Sequence, residues 1–138
     1  TLERVEREIM LDRFKFRYVF KKDFGGKTGI CYKMPIFDLN EVTSDNFTKV
    51  IKDYTDFDYK LVSIEQSTGL KDKNGKLIYE GDILKDKYGC LHPISWNIKG
   101  FYEADTFALA GFYKAIQEDM EVVGNIYENG GLLNEQIP

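Results

Sequence analysis

The N-terminal part of the chain alternates apolar and basic side chains. Phe14, Phe16 and Tyr18 fall on one side of an extended segment, Arg13–Phe20, and the basic residues between them fall on the other. Such a period of two is typical of a half-buried β-strand. A Gly-Gly turn follows, and residues 28–34 are apolar enough to return as a second strand. The pattern predicts an N-terminal β-hairpin.

A helical stripe of apolar residues comes next. Its members recur at the i, i+3, i+4 and i+7 positions that share one face of a helix; they are Phe47, Val50, Ile51 and Tyr54. Thr43 or Ser44 can cap this helix, and Asp45 adds a negative charge to its first turn, where the helix dipole favours one. These features predict an amphipathic helix over about Asp45–Asp53.

Beyond residue 58, short alternating segments are separated by turn signals. Asn74-Gly75 is a strong reverse-turn pair, because both residues tolerate a positive φ. A last strand is predicted over Glu121–Tyr127. A short helix can begin near Asp105, although Gly111 weakens it.

This pattern predicts a β-rich α+β fold. We expect a small, strongly bent antiparallel sheet or SH3-like barrel in the C-terminal half, with an N-terminal β-hairpin and one or two short helices. The 138 residues are the size of one ordinary domain. Within one compact unit, residues 10–58 are predicted to form a hairpin-and-helix subdomain and residues 59–138 a barrel-like subdomain. Residues 1–9 are expected to be an extra N-terminal arm or residues of artificial origin.

Charge is distributed unevenly along the chain. The net charge is −4, but residues 1–28 hold eight Lys and Arg against five Asp and Glu, while residues 29–138 hold eleven against eighteen. A mildly acidic protein is not built to neutralise a long run of phosphates, so nucleic acid is not the favoured partner. No apolar run approaches the roughly 18–20 residues that span a bilayer. We therefore expect a cytoplasmic protein without a membrane partner, in which Cys31 and Cys90 are free thiols.

Two segments carry a more specific pattern. They read QSTGLKDKNGKLIYEGDIL over Gln66–Leu84 and MEVVGNIYENGGLL over Met120–Leu133, and KFR stands near the start of the chain. In order and in residue pattern they resemble the motifs of the YopX family of bacteriophage and prophage proteins. The positions in and between these segments that we expect to be structural are Gly69, Asn74, Gly75, Tyr79, Gly81, Asp82, Trp96, Gly124, Asn125 and Tyr127.

The resemblance implies a small phage-borne protein with a compact β-rich C-terminal half similar to SH3-like barrels. It implies no activity, because the biochemical role of the family is unassigned, and no functional residue is carried over from it. The chain departs from the family pattern in three places. Residues 1–9 precede the segment at which members tend to start, residues 18–21 lack a frequent aromatic-Asp pair, and Gly130-Gly131 replaces a common proline.

The lysine-rich segment around Asn74 is one candidate binding site. A phosphate-binding P-loop requires Gly-x-x-x-x-Gly-Lys followed by Ser or Thr. Here the second glycine falls one residue late and Leu77 follows the lysine, so we interpret the segment as a turn. Lys71, Lys73 and Lys76 then form a solvated loop tip, with a contact to an acidic partner or to nucleic acid as the alternative.

The basic face of the predicted hairpin is the other candidate. Arg13, Lys15 and Arg17 share one side of the first strand. Neighbouring aromatic rings could stack on bases beside such cations. The alternative is that the aromatic side is core and the basic side only faces water.

Metal binding and catalysis have weak support in the sequence. Cys90 and His92 offer two ligands with Cys31 as a third, but a structural zinc site needs four, usually in Cys-x-x-Cys pairs. The acidic segment Asp53–Asp58 lacks the spacing of a calcium loop. The single histidine could act as base to a nucleophile such as Ser95, yet no nucleophile motif accompanies it. We expect no metal, no cofactor and no enzymatic activity.

The leading hypothesis is a phage or prophage accessory protein that acts as a non-enzymatic protein-interaction module. Its partner is expected to be a phage or host protein, with a homo-oligomer as a further option. The alternative is a nucleic-acid-binding protein that uses the basic N-terminal hairpin. Salt dependence separates the two hypotheses, because phosphate binding weakens steeply as salt rises.

Overall fold

A computed structural model describes residues 1–12, 14–26, 28–97, 100–103 and 113–134. The strands in these ranges are β1 (Lys15–Asp23), β2 (Ile30–Lys33), β3 (Ile36–Asp38), β4 (Lys60–Lys71), β5 (Leu77–Tyr79), β6 (Asp82–Lys85), β7 (Leu91–Asn97), β8 (Gly100–Glu103) and β9 (Glu121–Asn125). The helices are α1 (Leu2–Asp12), α2 (Leu39–Val42), α3 (Asp45–Asp56), α4 (Tyr113–Asp119) and α5 (Gly131–Asn134).

The elements divide into two compact units. The hairpin–helix unit is Phe14–Gln66, and the split unit joins Thr1–Arg13 to Ser67–Pro138. The chain passes from one unit to the other inside β4, between Gln66 and Ser67. Residues 1–9, expected to be an extra arm, belong to α1 from Leu2 onward and group with the split unit.

β1 is the central strand of the hairpin–helix unit. β2 and β3 pair antiparallel with its two ends on one side, and β4 pairs antiparallel on the other. The predicted hairpin is confirmed, with Asp23 opposite Ile30 at its turn end. The register between β1 and β4 shifts between Val19 and Phe20, and such a bulge bends a strand and increases its twist.

α3 packs against one face of this sheet. The helix begins after Ser44, whose Oγ accepts the Phe47 N–H at 3.2 Å, so one of the two predicted caps is confirmed. The rings of Tyr18, Phe37 and Phe47 contact one another edge-to-face, with centroids 4.9–5.7 Å apart. Such pairs contribute about 0.5–1.5 kcal/mol each beyond their burial. The strand face and the helical stripe predicted from the sequence therefore form one aromatic core.

β6 lies inside the four-stranded sheet of the split unit. It pairs antiparallel with β7 on one side and with β9 on the other, and β8 pairs with β7. The end of β4 pairs with β5 across the turn at residues 72–76. Five buried aliphatic side chains of this unit form one cluster: Leu70, Ile78, Leu84, Ile94 and Ile116.

The predicted fold class is confirmed in its main terms. The protein is a β-rich α+β protein with a strongly curled antiparallel sheet and short helices. The last strand ends at Asn125 rather than Tyr127, because the Asn125 side chain accepts the Tyr127 N–H at 3.0 Å and begins a turn.

Most of the helix predicted near residue 105, and the side chain of Trp96 on β7, lie outside the described residues. Within the described part, no helix has the length and apolarity to cross a bilayer.

Candidate functional site

The end of α3 brings aromatic side chains together at the surface. The Phe57 N–H donates to the Asp53 carbonyl at 3.1 Å and closes the helix. Asp58 then adopts a left-handed φ of 65°, which a short polar side chain tolerates. The Tyr59 N–H donates back to the Tyr54 carbonyl at 2.9 Å. The chain thus reverses into β4 with Phe57 and Tyr59 at the same end of the helix.

Lys22 on β1 contacts a cluster of three aromatic residues at the end of α3: Phe24, Phe57 and Tyr59. Its ammonium donates to the Phe57 carbonyl at 2.7 Å and lies 4.8 Å from the centre of the Phe24 ring and 5.6 Å from that of Tyr59. A cation over an exposed ring contributes about 0.5–1 kcal/mol. Phe24 is nevertheless 49% exposed and Phe57 69% exposed, so the cluster presents apolar rings to the surroundings.

An open groove of about 360 Å³ lies beside these rings. Its lining residues are Val50, Asp53, Tyr54, Phe57 and Tyr59. The ring of Tyr54 stacks on buried Phe20 with centroids 4.6 Å apart, so one wall of the groove is anchored in the core. The Tyr59 hydroxyl donates to the Cys31 thiol at 3.7 Å; this bond and partial burial raise the pKa of Tyr59 above its ordinary value. The groove therefore keeps a neutral aromatic lining with one carboxylate.

β4 continues the apolar surface away from the groove. Leu61, Val62 and Ile64 are each about half exposed. Leu61 lies opposite Phe20 and Ile64 opposite Tyr18, and directly opposite residues of antiparallel strands share a face. Leu61 and Ile64 therefore stand on the core face of the sheet but keep half of their surface uncovered. We call Phe24, Phe57, Leu61, Val62, Ile64 and the adjoining groove the α3–β4 apolar surface.

The predicted basic face of the hairpin is not brought together as one exposed row. Arg17 is buried, and its guanidinium donates from Nη2 and Nε to one oxygen of buried Glu65, at 3.1 and 3.3 Å. Lys15 is half-buried on the same strand, with interactions of its own. Arg13 and Lys27 lie outside the described residues. A nucleic-acid role for Lys15 and Arg13 stays a prediction, whereas the Arg17 side chain faces a buried carboxylate.

The lysine-rich turn places two of its three cations beside carboxylates. Lys71 lies 3.8 Å from Asp12, and Lys73 lies 3.9 Å from Glu121. Lys76 is exposed at the end of the same turn. The structure assigns no ligand to these lysines, so their binding role stays a prediction.

Asp72 is the organising residue of this turn. One oxygen of its buried carboxylate accepts the Asn74 and Lys76 N–H groups at 2.9 Å each. The other oxygen accepts the Val122 N–H at 2.8 Å. Gly75 completes the turn with a φ of 79°, which favours glycine. The lysine-rich segment is therefore a turn that is hydrogen-bonded to β9 through Asp72.

The second half of the same motif meets the C-terminal motif in the sheet. Buried Asp82 accepts the Tyr79 N–H at 2.8 Å and lies opposite Asn125 in the β6–β9 pair. The Gly81 carbonyl accepts the Ile126 N–H at 2.8 Å. The two sequence motifs therefore form one framework of strands and turns.

Gly124 of this framework leaves no room for a side chain. A Cβ at this position would overlap the side chain of Asn129, whose Oδ1 accepts the Asn125 N–H at 3.2 Å. We expect Gly124→Ala to lower the free energy of unfolding by about 1–3 kcal/mol, as overpacking does. Chemical denaturation measures this loss. Gly131→Ala is the matched control, because a Cβ there meets nothing within 4 Å; equal losses in the two variants would contradict the prediction.

Asp86 and His92 form a pair at the β6–β7 turn. His92 Nε2 lies 2.9 Å from Asp86 Oδ2, and Oδ1 accepts the N–H groups of Tyr88 and Cys90 at 2.8 and 2.9 Å. Burial raises the pKa of Asp86, but the hydrogen bonds from His92 and the two amides outweigh it, so the pKa is lowered from its ordinary value. Among the described residues, no three His, Cys, Asp or Glu side chains are grouped to hold a metal ion.

The α3–β4 apolar surface was not identified from the sequence. Phe57 lies in the acidic segment Asp53–Asp58, and Leu61 lies in one of the short alternating segments beyond residue 58. Neither pattern indicates an exposed apolar surface. The available signal was the adjacent pair Leu61 and Val62, which breaks the alternation expected of a strand with only one buried face.

Comparisons with known proteins place both motifs within one family. The model of the YopX protein family matches residues 28–134. Among solved structures, the chain is similar to protein EF1440 from Enterococcus faecalis, at 27% identity and a TM-score of 0.43, over 82% of this chain and 74% of that one. No curated protein matches the chain. Because the family model covers most of the sequence and includes both motifs, the chain belongs to the YopX family.

Proposed function

We propose that this protein is a phage or prophage accessory protein that works as a non-enzymatic protein-interaction module. The observation that carries the proposal is the α3–β4 apolar surface, on which Phe57 is 69% exposed and three β4 side chains are about half exposed. Contiguous exposed apolar surface next to polar residues is typical of a protein-binding site. Aromatic residues such as Phe and Tyr are enriched in such interfaces.

The nucleic-acid alternative has less support. A phosphate-binding surface needs clustered exposed cations, but Arg17 donates to a buried carboxylate and Lys22 is held by the Phe57 carbonyl. The net charge of −4 also opposes it.

An SH3-like barrel in the C-terminal half is part of the proposal, supported by the antiparallel order β8-β7-β6-β9.

Substitution of the most exposed aromatic residue tests the proposed function. Bacterial lysate, with and without phage infection, is treated with nuclease and passed over the immobilised protein at moderate salt. We expect a discrete protein to be retained, and Phe57→Ala to reduce its retention by about fivefold or more, the size of effect expected for a central interface residue.

The matched control is Tyr88→Ala, since Tyr88 is an aromatic residue of the split unit that is 80% exposed. It should leave the retained protein unchanged. Equal retention by the Phe57→Ala variant and the unmodified protein would refute the assignment of this surface. Nucleic acid retained without nuclease, and lost at higher salt, would favour the alternative.

A further inference from the structure

Residues Lys60–Ile64 present an open strand edge. In the part of the chain that the structure describes, their pairing partners lie on β1, and β5 pairs with β4 only from Ser67 onward. An edge strand offers free N–H and C=O groups, so an exposed apolar edge is a template for a further strand. Leu61, Val62 and Ile64 make this edge apolar.

The groove lies at the start of this edge. Tyr59 lines the groove and immediately precedes β4, and the period of two along an extended chain places its side chain on the same face as Leu61. In recognition by strand addition, main-chain hydrogen bonds supply affinity and pockets for alternate side chains supply specificity. A segment laid along Lys60–Ile64 would therefore direct one of its side chains toward the groove.

The lining of the groove favours a cationic side chain. Three aromatic residues surround it, and Asp53 adds a carboxylate. A Lys or Arg side chain is attracted to the faces of aromatic rings and gains further from a neighbouring carboxylate. An acidic side chain would meet Asp53 with like charge.

Two of the cations near the groove are already engaged. Lys22 donates to the Phe57 carbonyl at 2.7 Å, and Lys52 pairs with Asp56 at 3.0 Å. The hairpin–helix unit is nearly neutral, with nine Lys and Arg against eight Asp and Glu over residues 14–66, so the Asp53 carboxylate in the lining decides the local preference. Electrostatic complementarity therefore favours a basic partner segment over an acidic one.

The area of the edge favours a short segment over a second copy of the chain. Burying one whole aliphatic side chain removes on the order of 100 Å² of apolar surface from water, so the three half-exposed β4 side chains supply about 150 Å². Phe24 and Phe57, which are 49% and 69% exposed, add roughly 240 Å². Stable protein pairs bury about 800 Å² on each partner. The edge and groove thus match a peptide-sized ligand.

We propose that Lys60–Ile64 of β4 receives an extended segment of a partner protein as an added strand, with a Lys or Arg of that segment seated in the groove lined by Asp53, Tyr54, Phe57 and Tyr59. The inference rests on the proposed function and specifies its partner. It predicts apolar residues at alternate positions on one side of the basic residue, since Leu61 and Ile64 both lie beyond Tyr59 along β4.

Selection from a library of random displayed peptides on the immobilised protein tests this inference. We expect enrichment of peptides with one Lys or Arg and apolar residues two positions away from it. In titrations of the synthesised peptides, Leu61→Lys is expected to weaken binding about tenfold or more, because it places a charge on the edge. Asp53→Asn should weaken it about two- to tenfold.

Ile36→Lys is the matched control, since Ile36 is an aliphatic residue of the same unit, 48% exposed and on β3. It should leave peptide binding unchanged. Failure to enrich peptides, enrichment of acidic peptides, or equal binding to the Leu61→Lys variant would overturn the inference. The inference would also be overturned if the protein formed a stable dimer and Leu61→Lys dissociated it, because a second copy of the chain would then occupy the edge. If no peptide binds but lysate protein is still lost with Phe57→Ala, the interaction module stands and the added strand does not.

Discussion

Asp72→Ala is expected to lower the free energy of unfolding by on the order of 3–5 kcal/mol. The Asp72 carboxylate is buried and accepts three main-chain N–H groups, those of Asn74, Lys76 and Val122. Each hydrogen bond to a charged group contributes about 1.5–3 kcal/mol, and Asp72→Ala removes three of them at once. The loss exceeds that of an ordinary substitution because one side chain serves both a turn and a neighbouring strand.

Denaturant titration followed by tryptophan fluorescence and circular dichroism measures this effect. Asp72→Asn should cause an intermediate loss of unfolding free energy. The amide oxygen of asparagine still accepts N–H groups, whereas its amide NH₂ group is a donor and cannot accept one. Lys73→Ala is the control from the same turn, because it removes only an exposed ion pair with Glu121 at 3.9 Å, worth about 0–1 kcal/mol. An Asp72→Ala midpoint equal to that of Lys73→Ala would show that the carboxylate does not organise the turn.

Arg17→Met is expected to have the second large effect, also of about 3–5 kcal/mol. The Arg17 and Glu65 side chains are 9% and 2% exposed, with Nη2 and Oε1 3.1 Å apart. Removing one partner of a buried pair leaves the other charge desolvated without its counter-charge. The double variant Arg17→Met/Glu65→Leu should recover most of the loss, because an apolar pair of similar volume carries no desolvation penalty.

A double-mutant cycle by thermal and chemical unfolding separates these contributions. The control pair is Lys52 and Asp56 on α3, at 3.0 Å but with side chains 73% and 56% exposed. Lys52→Ala should leave the free energy of unfolding nearly unchanged, because solvent screens an exposed ion pair. If Arg17→Met and Lys52→Ala have similar effects, burial does not set the strength of the Arg17–Glu65 interaction.

Local patterns in the sequence predicted the elements well, because each of those elements depends on neighbouring residues. The α3 stripe and its Ser44 cap lie within one stretch of chain, as does the turn at Gly75. What the sequence did not predict is which face of an element becomes covered. Arg17 alternates like Lys15 along β1, yet Arg17 is buried because Glu65, which is 48 positions away, lies opposite it.

The α3–β4 apolar surface could not be predicted either, because its exposure also depends on which faces other elements cover. Apolar residues such as Leu61 and Ile64 satisfy a strand pattern whether or not another element covers them. Their exposure is decided by where α3 packs and by β5 pairing only from Ser67 onward. Family membership could be inferred from two motifs, but those motifs, through Asp72 and Asp82, describe the framework of the split unit and not the surface that we propose for binding.

The division of the chain into a continuous and a split unit has a consequence for the order of folding during synthesis. All residues of the hairpin–helix unit lie between Phe14 and Gln66, so this unit can close while the rest of the chain is still being made. The split unit contains residues Thr1–Arg13, yet β6 gains its partner β9 only when residues 121–125 emerge. Until then one edge of β6 is open to other nascent chains. α1 is therefore synthesised long before β9, the strand that completes the β6 pairing in the unit to which α1 belongs.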